Sequence, residues 1–291
     1  MTIEKSTSRF YTSWTEQEHA VHFDGLRYVP SWLLQRRLEG FNEVRLLREA
    51  LTTDRPITVL EIGCATGELF RYVRRRHPGV AYIGADISQP AIARAREKFG
   101  AGARFLVTDP DLGGLDGTKA EVVFSRDVVH HQTNPWSFLE RLYRLAGEAL
   151  IVRLRTRDRG PTETDPEKSC QFHAGHWIPY IVMSCDELIE TVRAFRPAPA
   201  RVRLLKDLVV LGGVQGRYLP KACYDALTGT AESALLLVKT AGEGPQTTVE
   251  VEVRPDGERS PGWSRLKWAC RLGSMAVRGV VGRGYRGRTR W

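Results

Sequence analysis

Short apolar runs alternate with amphipathic stretches between residues 57 and 155, and this alternation predicts a sheet interleaved with helices. The apolar runs are rich in β-branched residues and end in small or acidic residues, which favours buried strands. We predict five such strands, at residues 57–62, 81–85, 104–107, 121–125 and 149–155. Helices are predicted between them, ending at about 76, at 90–99 and at 135–145. Strands separated by helices imply a mostly parallel sheet.

The flanking segments complete the predicted architecture. Residues 1–55 are predicted to be mostly helical, and 156–169 to form a polar loop before a helix at 185–195. The last strands, 201–211 and 233–239, lack a helical crossover and therefore favour an antiparallel edge pair. The prediction is an α/β fold with a seven-stranded, mostly parallel sheet and helices on both faces. We expect a helical cap at 1–55, a main domain at 56–241 and an extension at 242–291.

Ligands of open parallel sheets bind beyond the carboxyl ends of the strands, and three features lie there. Glu61 is followed by a loop of small residues that ends at Gly67. Small residues let the backbone approach a ligand closely, and the next helix offers its N-terminus. Asp86 ends the second strand, where a carboxylate can accept hydrogen bonds from both hydroxyls of a ribose. Asp109 ends the third strand and can accept a hydrogen bond from an exocyclic amine.

These segments resemble the class I S-adenosylmethionine-dependent methyltransferases, which have a Rossmann-like fold. The resemblance extends over residues 55–241 and is carried by VLEIGCATGELF (59–70), YIGADIS (82–88), FLVTDP (105–110) and VVFSRDVVHHQTNPW (122–136). It implies that the cofactor is S-adenosylmethionine. In this chain Ala65 stands where many members carry glycine, a small change in size.

The resemblance also implies a role for each cofactor-binding residue. Gly63, Cys64, Ala65 and Gly67 would surround the methionine portion, and Glu61 would organise their loop. Asp86 would bind the ribose, Ile87 would pack on the adenine, and Asp109 would accept the adenine amine. Arg126 would lie near the methionine end.

Two other interpretations of the strand ends are disfavoured. A dinucleotide-dependent oxidoreductase would carry G-x-G-x-x-G, which is absent, and Glu61 would repel a diphosphate but not a cofactor with a sulfonium and an ammonium. A non-catalytic subunit with this fold would have no need of the strand-end acids.

Paired histidines supply the candidate catalytic groups. Four lie just after the fourth and fifth strands and are candidates for a general base: His130, His131, His173 and His176. A structural role for the first pair stays open. Cys170, His173 and His176 share a spacing that matches no standard zinc pattern, so we assign no metal site.

Charge is concentrated at the end of the chain. The net charge is +9, and residues 259–291 contain nine basic residues and no acidic ones, which leaves the remainder close to neutral. A predicted basic amphipathic helix at 262–281 favours an anionic membrane surface, and the arginine–glycine pairs favour nucleic acid; a solvated tail is the third alternative.

The remaining composition indicates a cytoplasmic protein. The five cysteines are scattered without a CxxC pair, which is typical of reduced thiols, and neither a signal peptide nor a membrane-spanning run is apparent. The favoured function is methyl transfer to an oxygen or nitrogen of a small-molecule, sugar or lipid-linked acceptor. The alternatives are an RNA or protein methyltransferase that docks through the tail and a non-catalytic binding subunit. The sequence leaves the oligomeric state open.

Overall fold

The computed structural model of the chain describes residues 10–24, 29–53, 55–115, 117–225, 229–239 and 247–254. The basic segment at 259–291 lies outside the described residues, as does the predicted helix at 262–281. The membrane, nucleic-acid and solvated-tail alternatives for this segment stay predictions. No helix in the described ranges has the length and apolar character that crossing a bilayer requires.

A single large sheet organises the described residues. Its strands are β1 (Thr58–Ile62), β2 (Ala81–Asp86), β3 (Arg104–Val107), β4 (Ala120–Arg126), β5 (Ala146–Arg157), β8 (Met183–Ser184), β9 (Arg201–Leu208), β11 (Ala231–Val238) and β12 (Thr248–Arg254). The order across the sheet is β12-β9-β11-β5-β4-β1-β2-β3, with β8 also pairing with β5. Strands β1 to β5 pair with one another in parallel. Strand β11 is antiparallel to both of its neighbours, β5 and β9.

The predicted α/β fold is therefore confirmed, including the antiparallel pair formed by the last two predicted strands. The sheet has nine strands rather than seven, because β8 and β12 add to it. Strand β12 pairs with β9 in parallel, so β9 is not an edge strand and the sheet continues beyond residue 241, where we expected the main domain to end. The alternation of valine and glutamate in β12 fits this position, since its outer edge has no partner among the described strands.

Helices cover both faces of the sheet. They are α1 (Thr12–Thr15), α2 (Gln17–Asp24), α3 (Ser31–Glu39), α4 (Asn42–Ala50), α5 (Glu68–Arg76), α6 (Gln89–Phe99), α7 (Pro135–Leu145) and α8 (Cys185–Arg193). Side chains of β5 show how the faces divide. Leu150 and Val152 pack with α7 and α8, whereas Ile151 packs with α3 to α6. Because successive side chains of a strand point to opposite faces of the sheet, neighbouring residues of β5 pack against different helix layers.

A small three-stranded sheet lies after β5, where we predicted only a polar loop and a connection. It consists of β6 (Cys170–His173), β7 (His176–Pro179) and β10 (Arg217–Tyr218), in the order β10-β6-β7. Strands of two to four residues with mixed polarity give little periodic signal, so local sequence does not reveal them.

Gly67 begins α5 and determines how that helix leaves β1. Its φ angle of 82° lies in the left-handed region, and an added Cβ would come within 2.7 Å of the Phe99 ring. Both effects exclude a side chain, so Gly67 is needed for packing as well as for the turn.

Replacement of Gly67 by alanine should therefore destabilise the protein by about 2 kcal/mol or more, from left-handed strain and overpacking together. Thermal or denaturant unfolding measures this loss. Gly79→Ala is the matched control, because an added Cβ there meets nothing within 4 Å and the φ angle is not positive. Equal midpoints for the two variants would contradict the assignment.

Candidate active site

A cavity of about 460 Å³ opens at the carboxyl ends of the parallel strands. Its volume lies in the range of small-molecule pockets. Eleven of the residues singled out from the sequence line it: Glu61, Gly63, Cys64, Ala65, Asp86, Ile87, Asp109, Arg126, His130, His131 and His173. The parallel register accounts for this convergence, since adjacent parallel strands end at the same edge.

Two residues expected at the site do not line this cavity. Gly67 precedes α5 as its N-cap and packs against Phe99 and Phe105 instead. His176 lies across the β6–β7 hairpin from His173 and its Nε2 is 3.0 Å from a carboxylate oxygen of Glu16. The expectation that both histidines of this pair reach the rim is corrected here, because residues 174 and 175 turn the chain between them.

Asp86 ties the glycine-containing loop to the end of β2. One carboxylate oxygen accepts the backbone N–H of Ala65 at 2.8 Å, and the other accepts that of Ser88 at 2.8 Å. Ala65 has a φ of 46°, a left-handed conformation that costs a non-glycine residue roughly 1–2 kcal/mol. Alanine in place of glycine at this position therefore adds backbone strain as well as a slightly larger side chain. Burial raises the pKa of Asp86, and the two N–H donors oppose the rise. The cavity therefore contains a carboxylate whose oxygens still have acceptor capacity.

Glu61 is a second buried carboxylate, beneath the loop. Only 5% of the residue is exposed, and the hydroxyl of Tyr82 donates to it. Burial raises the pKa of Glu61 to about 8, despite that hydrogen bond and the nearby charge of Arg126. A buried anion without a counter-ion is unfavourable, so this position is suited to a cationic ligand.

Asp109 lies at the far end of the cavity, past β3. One of its carboxylate oxygens accepts the N–H of Gly113 at 2.7 Å, which closes the loop at 109–113. Thr108 closes the same loop by donating to the Gly113 carbonyl at 2.9 Å. Together with Ile87, these residues form a polar and apolar rim next to Asp86.

A network of buried charges lies at the ends of β4 and β5. Asp127 follows β4 with a φ of 59° and is 3.2 Å from a guanidinium nitrogen of Arg153 and 3.0 Å from one of Arg155. Burial alone would raise the pKa of Asp127, but these guanidiniums hold it well below its usual range. Glu43 of α4 lies 3.1 Å from Arg126, and Glu232 of β11 lies 2.7 Å from Arg153. Three carboxylates thus balance three guanidiniums.

His130 and His131 lie in a 3-10 turn at Val129–His131, just after this network. The Nδ1–H of His131 donates to the Pro179 carbonyl at 2.7 Å, so its Nε2 carries the lone pair. Burial lowers the pKa of His131 to about 4 and that of His130 well below its usual value. Both rings are therefore neutral at physiological pH, and the Nδ1 of His130 has no hydrogen-bond partner among the residues that the structure describes.

Aromatic residues enclose the end of the cavity near the histidines. The hydroxyl of Tyr11 donates to Gln132 at 3.1 Å, and Trp14 stacks on His173 with ring centroids 4.5 Å apart. Tyr180 accepts at its hydroxyl from Nε of Arg155 at 2.9 Å. Tyr11, Trp14 and Tyr180 all line this part of the cavity. Trp177 packs instead on Phe172 and Tyr218.

The spacing of Cys170, His173 and His176 does not produce a metal site in the described ranges. Cys170 pairs across the hairpin with Pro179, and no group of three histidine, cysteine or acidic side chains there is arranged to hold a metal ion. The four cysteines in these ranges are buried free thiols.

Sequence reasoning missed several residues that line the cavity: Arg37, Asp127, Gln132, Arg155, Gln171 and Arg217. The apolar alternation of β4 and β5 contained one available signal, because Arg126, Arg153 and Arg155 occupy positions of the same face as Phe124 and Ile151. A basic residue at a position that the alternation assigns to the buried face indicates a paired or functional charge. The contributions from α3, β6 and β10 depend on tertiary packing.

Replacement of Glu61 by glutamine should raise the thermal midpoint of the ligand-free protein at pH 8 by at least about 3 °C, as followed by circular dichroism. Since the folded-state pKa of about 8 exceeds the unfolded value near 4.5, wild-type stability falls as pH rises between these values. The gain should vanish at pH 5, where folded Glu61 is protonated. Glu97→Gln on the exposed face of α6 is the control, and a gain independent of pH would contradict this account.

Part of the chain matches known methyltransferases. Residues 60–148 match the family model described as a methyltransferase domain. The malonyl-[acyl-carrier protein] O-methyltransferase of Neorickettsia risticii (strain Illinois) is 30% identical over 103 residues, which are 35% of this chain. The match spans about 40% of the length of that relative.

The solved structures to which this chain shows similarity include the magnesium protoporphyrin IX methyltransferase of Synechocystis PCC 6803 with bound S-adenosylmethionine. It is 16% identical with a TM-score of 0.47, covering 82% of this chain and 99% of that one. The 1,6-didemethyltoxoflavin-N1-methyltransferase of Burkholderia thailandensis is 18% identical with a TM-score of 0.49, covering 80% and 90%. Residues 60–148, which include the strand-end acids, therefore resemble a methyltransferase domain, within an α/β fold that has a mostly parallel sheet.

Proposed function

We propose that the chain transfers the methyl group of S-adenosylmethionine to an oxygen or nitrogen of a small molecule. The observation that carries the proposal is the pair of buried carboxylates, Glu61 and Asp86, at adjacent strand ends in one cavity. They complement a ligand that has a sugar diol and cationic groups. The family match over residues 60–148 and the similarity to an O-methyltransferase support the reaction class.

The donor set of the cavity fits this cofactor. Asp86 retains acceptor capacity on both oxygens after binding Ala65 and Ser88, which suits the two ribose hydroxyls. Asp109 keeps one oxygen free of the Gly113 contact, and this oxygen would accept the adenine amine. Glu61 would lie near the ammonium and sulfonium charges, and Arg37, which lines the cavity from α3, would bind the carboxylate of the methionine portion.

S-adenosylmethionine held by these residues would supply an activated methyl group on a sulfonium, and loss of that methyl group would leave a neutral thioether. The protein aligns the acceptor for in-line attack and excludes water, effects worth up to roughly 7–11 kcal/mol in favourable intramolecular cases. Trp14 and Tyr180 form walls for the acceptor, and the N-terminal segment covers this end through Tyr11 and Gln132. A partly enclosed aromatic cavity favours a small-molecule acceptor over a folded macromolecule.

His131 is the proposed proton acceptor. Its Nδ1–H is held by the Pro179 carbonyl, which leaves the Nε2 lone pair to receive a proton from an attacking hydroxyl or amine. Asp127 lies near the histidine pair and favours the protonated ring. His173 lines the same end but stacks on Trp14, so we assign it to the wall.

Replacement of Asp86 by asparagine should weaken binding of S-adenosylhomocysteine by about 10–100-fold, as measured by titration calorimetry, because a charge-assisted acceptor of the diol is lost. The control is Asp111→Asn, whose side chain is 85% exposed and pairs only with the surface residue Arg141 among the described residues. Absence of any binding heat with wild-type protein would overturn the proposed function.

Replacement of His131 by alanine should lower the rate of transfer of radiolabelled methyl groups to a small-molecule extract by about 10²–10⁴-fold, with unchanged affinity for S-adenosylhomocysteine. Because the pKa is about 4, the base is already deprotonated at neutral pH, and protonation of His131 should reduce the rate only as pH falls towards that value. His176→Ala, outside the cavity, should keep the wild-type rate. A wild-type rate for His131→Ala would refute its role.

A further inference from the structure

Arg217 lines the histidine end of the cavity and forms no ion pair of 4 Å or less with the described residues. Its Nη1 donates to the Leu211 carbonyl at 3.0 Å and its Nη2 to the side-chain oxygen of Gln171 at 3.2 Å. Its Nε is buried and has no hydrogen-bond partner among the described residues. Burial lowers the pKa of Arg217 from its ordinary value, and the more distant carboxylate of Glu232 and the Tyr180 side chain oppose this shift only in part.

The neighbouring guanidinium is already neutralised. Arg155 lies 3.0 Å from Asp127 and 3.9 Å from Glu232, and its Nε donates to Tyr180. The carboxylates Glu43, Asp127 and Glu232 balance Arg126, Arg153 and Arg155. An anionic ligand at this end of the cavity would therefore meet, in Arg217, a guanidinium that has no direct ion pair among the described residues.

The geometry around Arg217 fixes how an anion would approach. The Cζ of Arg217 lies 4.0 Å from the centroid of the Tyr180 ring, and the bonds to Leu211 and Gln171 hold the guanidinium in place. A planar, pre-oriented fork with a single positive charge matches a planar group with a single negative charge, whereas a dianionic phosphate would need a second free cation. Both Arg217 and Tyr180 line the cavity, as do Trp14 and His173.

We propose that the methyl acceptor is a small molecule bearing a carboxylate, and that this carboxylate pairs with Arg217 at the end of the cavity opposite Asp109. The inference rests on the proposed function and specifies its substrate class. The carboxylate is a binding group rather than the attacking atom, since pairing with a guanidinium lowers its nucleophilicity. Another oxygen or nitrogen of the same molecule would then be methylated next to His131.

The test uses benzoate and its neutral isostere benzamide as probes, because the walls of this end are aromatic. Each is titrated into the full chain saturated with S-adenosylhomocysteine, and binding is followed by calorimetry. Wild-type protein should bind benzoate at least about tenfold more tightly than benzamide, as expected for a charge-assisted pair. In Arg217→Gln this preference should fall to about one, and in Arg217→Lys, which retains charge but not the fork, it should be intermediate.

Matched controls separate recognition from folding and from cofactor binding. Arg193→Gln, an exposed arginine at the end of α8, should keep the wild-type preference for benzoate. Thermal midpoints and the affinity for S-adenosylhomocysteine should be unchanged in Arg217→Gln. Equal binding of the two probes by wild type, no binding of benzoate, or a preference that survives in Arg217→Gln would overturn the inference. Absence of S-adenosylhomocysteine binding would instead refute the proposed function, and the probes can then be compared on the free protein.

Discussion

The hydrogen bonds accepted by Asp86 hold the site together. One carboxylate takes the N–H of Ala65 from the loop after β1 and that of Ser88 from the start of α6. Parallel pairing of Ile62 with Ala85 brings these strand ends level, and the carboxylate then fixes the two chain segments that leave them. The left-handed backbone at Ala65 is kept by this contact. A loop held in this way presents its backbone to a ligand without reordering on binding, which reduces the entropic cost of association.

The site is assembled from charges that the fold buries at a cost to stability. Glu61 is unfavourable as an anion in the free protein, as its raised pKa shows, whereas Asp127 is strongly favoured as an anion by Arg153 and Arg155. The second carboxylate is satisfied by the protein itself, whereas the first would be satisfied by the cationic ligand that we propose. We therefore assign Glu61 to ligand recognition and Asp127 to the positioning of neighbouring residues. The network around Asp127 also fixes the turn that presents His131, so that the polar core at the ends of β4 and β5 prepares the acceptor side of the cavity.

Local patterns were sufficient for the central strands and for the cofactor side of the site. The loop after β1 and the acids that end β2 and β3 depend only on where a strand stops, and a parallel sheet brings all strand ends to one edge. The end of the cavity that we assign to the methyl acceptor is not built from the ends of the parallel strands alone. Its walls come from α1, from the hairpin of β6 and β7, and from β10, which are too short to have a period of their own. Arg217 lies 46 residues from Gln171, and only the pairing of β10 with β6 joins them.

The sequence by itself determined the α/β fold, the mostly parallel arrangement of its core strands and the identity of the buried acids at the strand ends, because hydrophobic periodicity and strand-end position are local properties. Tertiary structure alone decided that His131 lines the cavity while His176 turns towards Glu16, that Gly67 serves packing, and that Arg155 forms a direct ion pair whereas Arg217 forms none among the described residues. The physical reason is that charge compensation and cavity walls are made by residues far apart in the chain, whose meeting depends on how the layers pack.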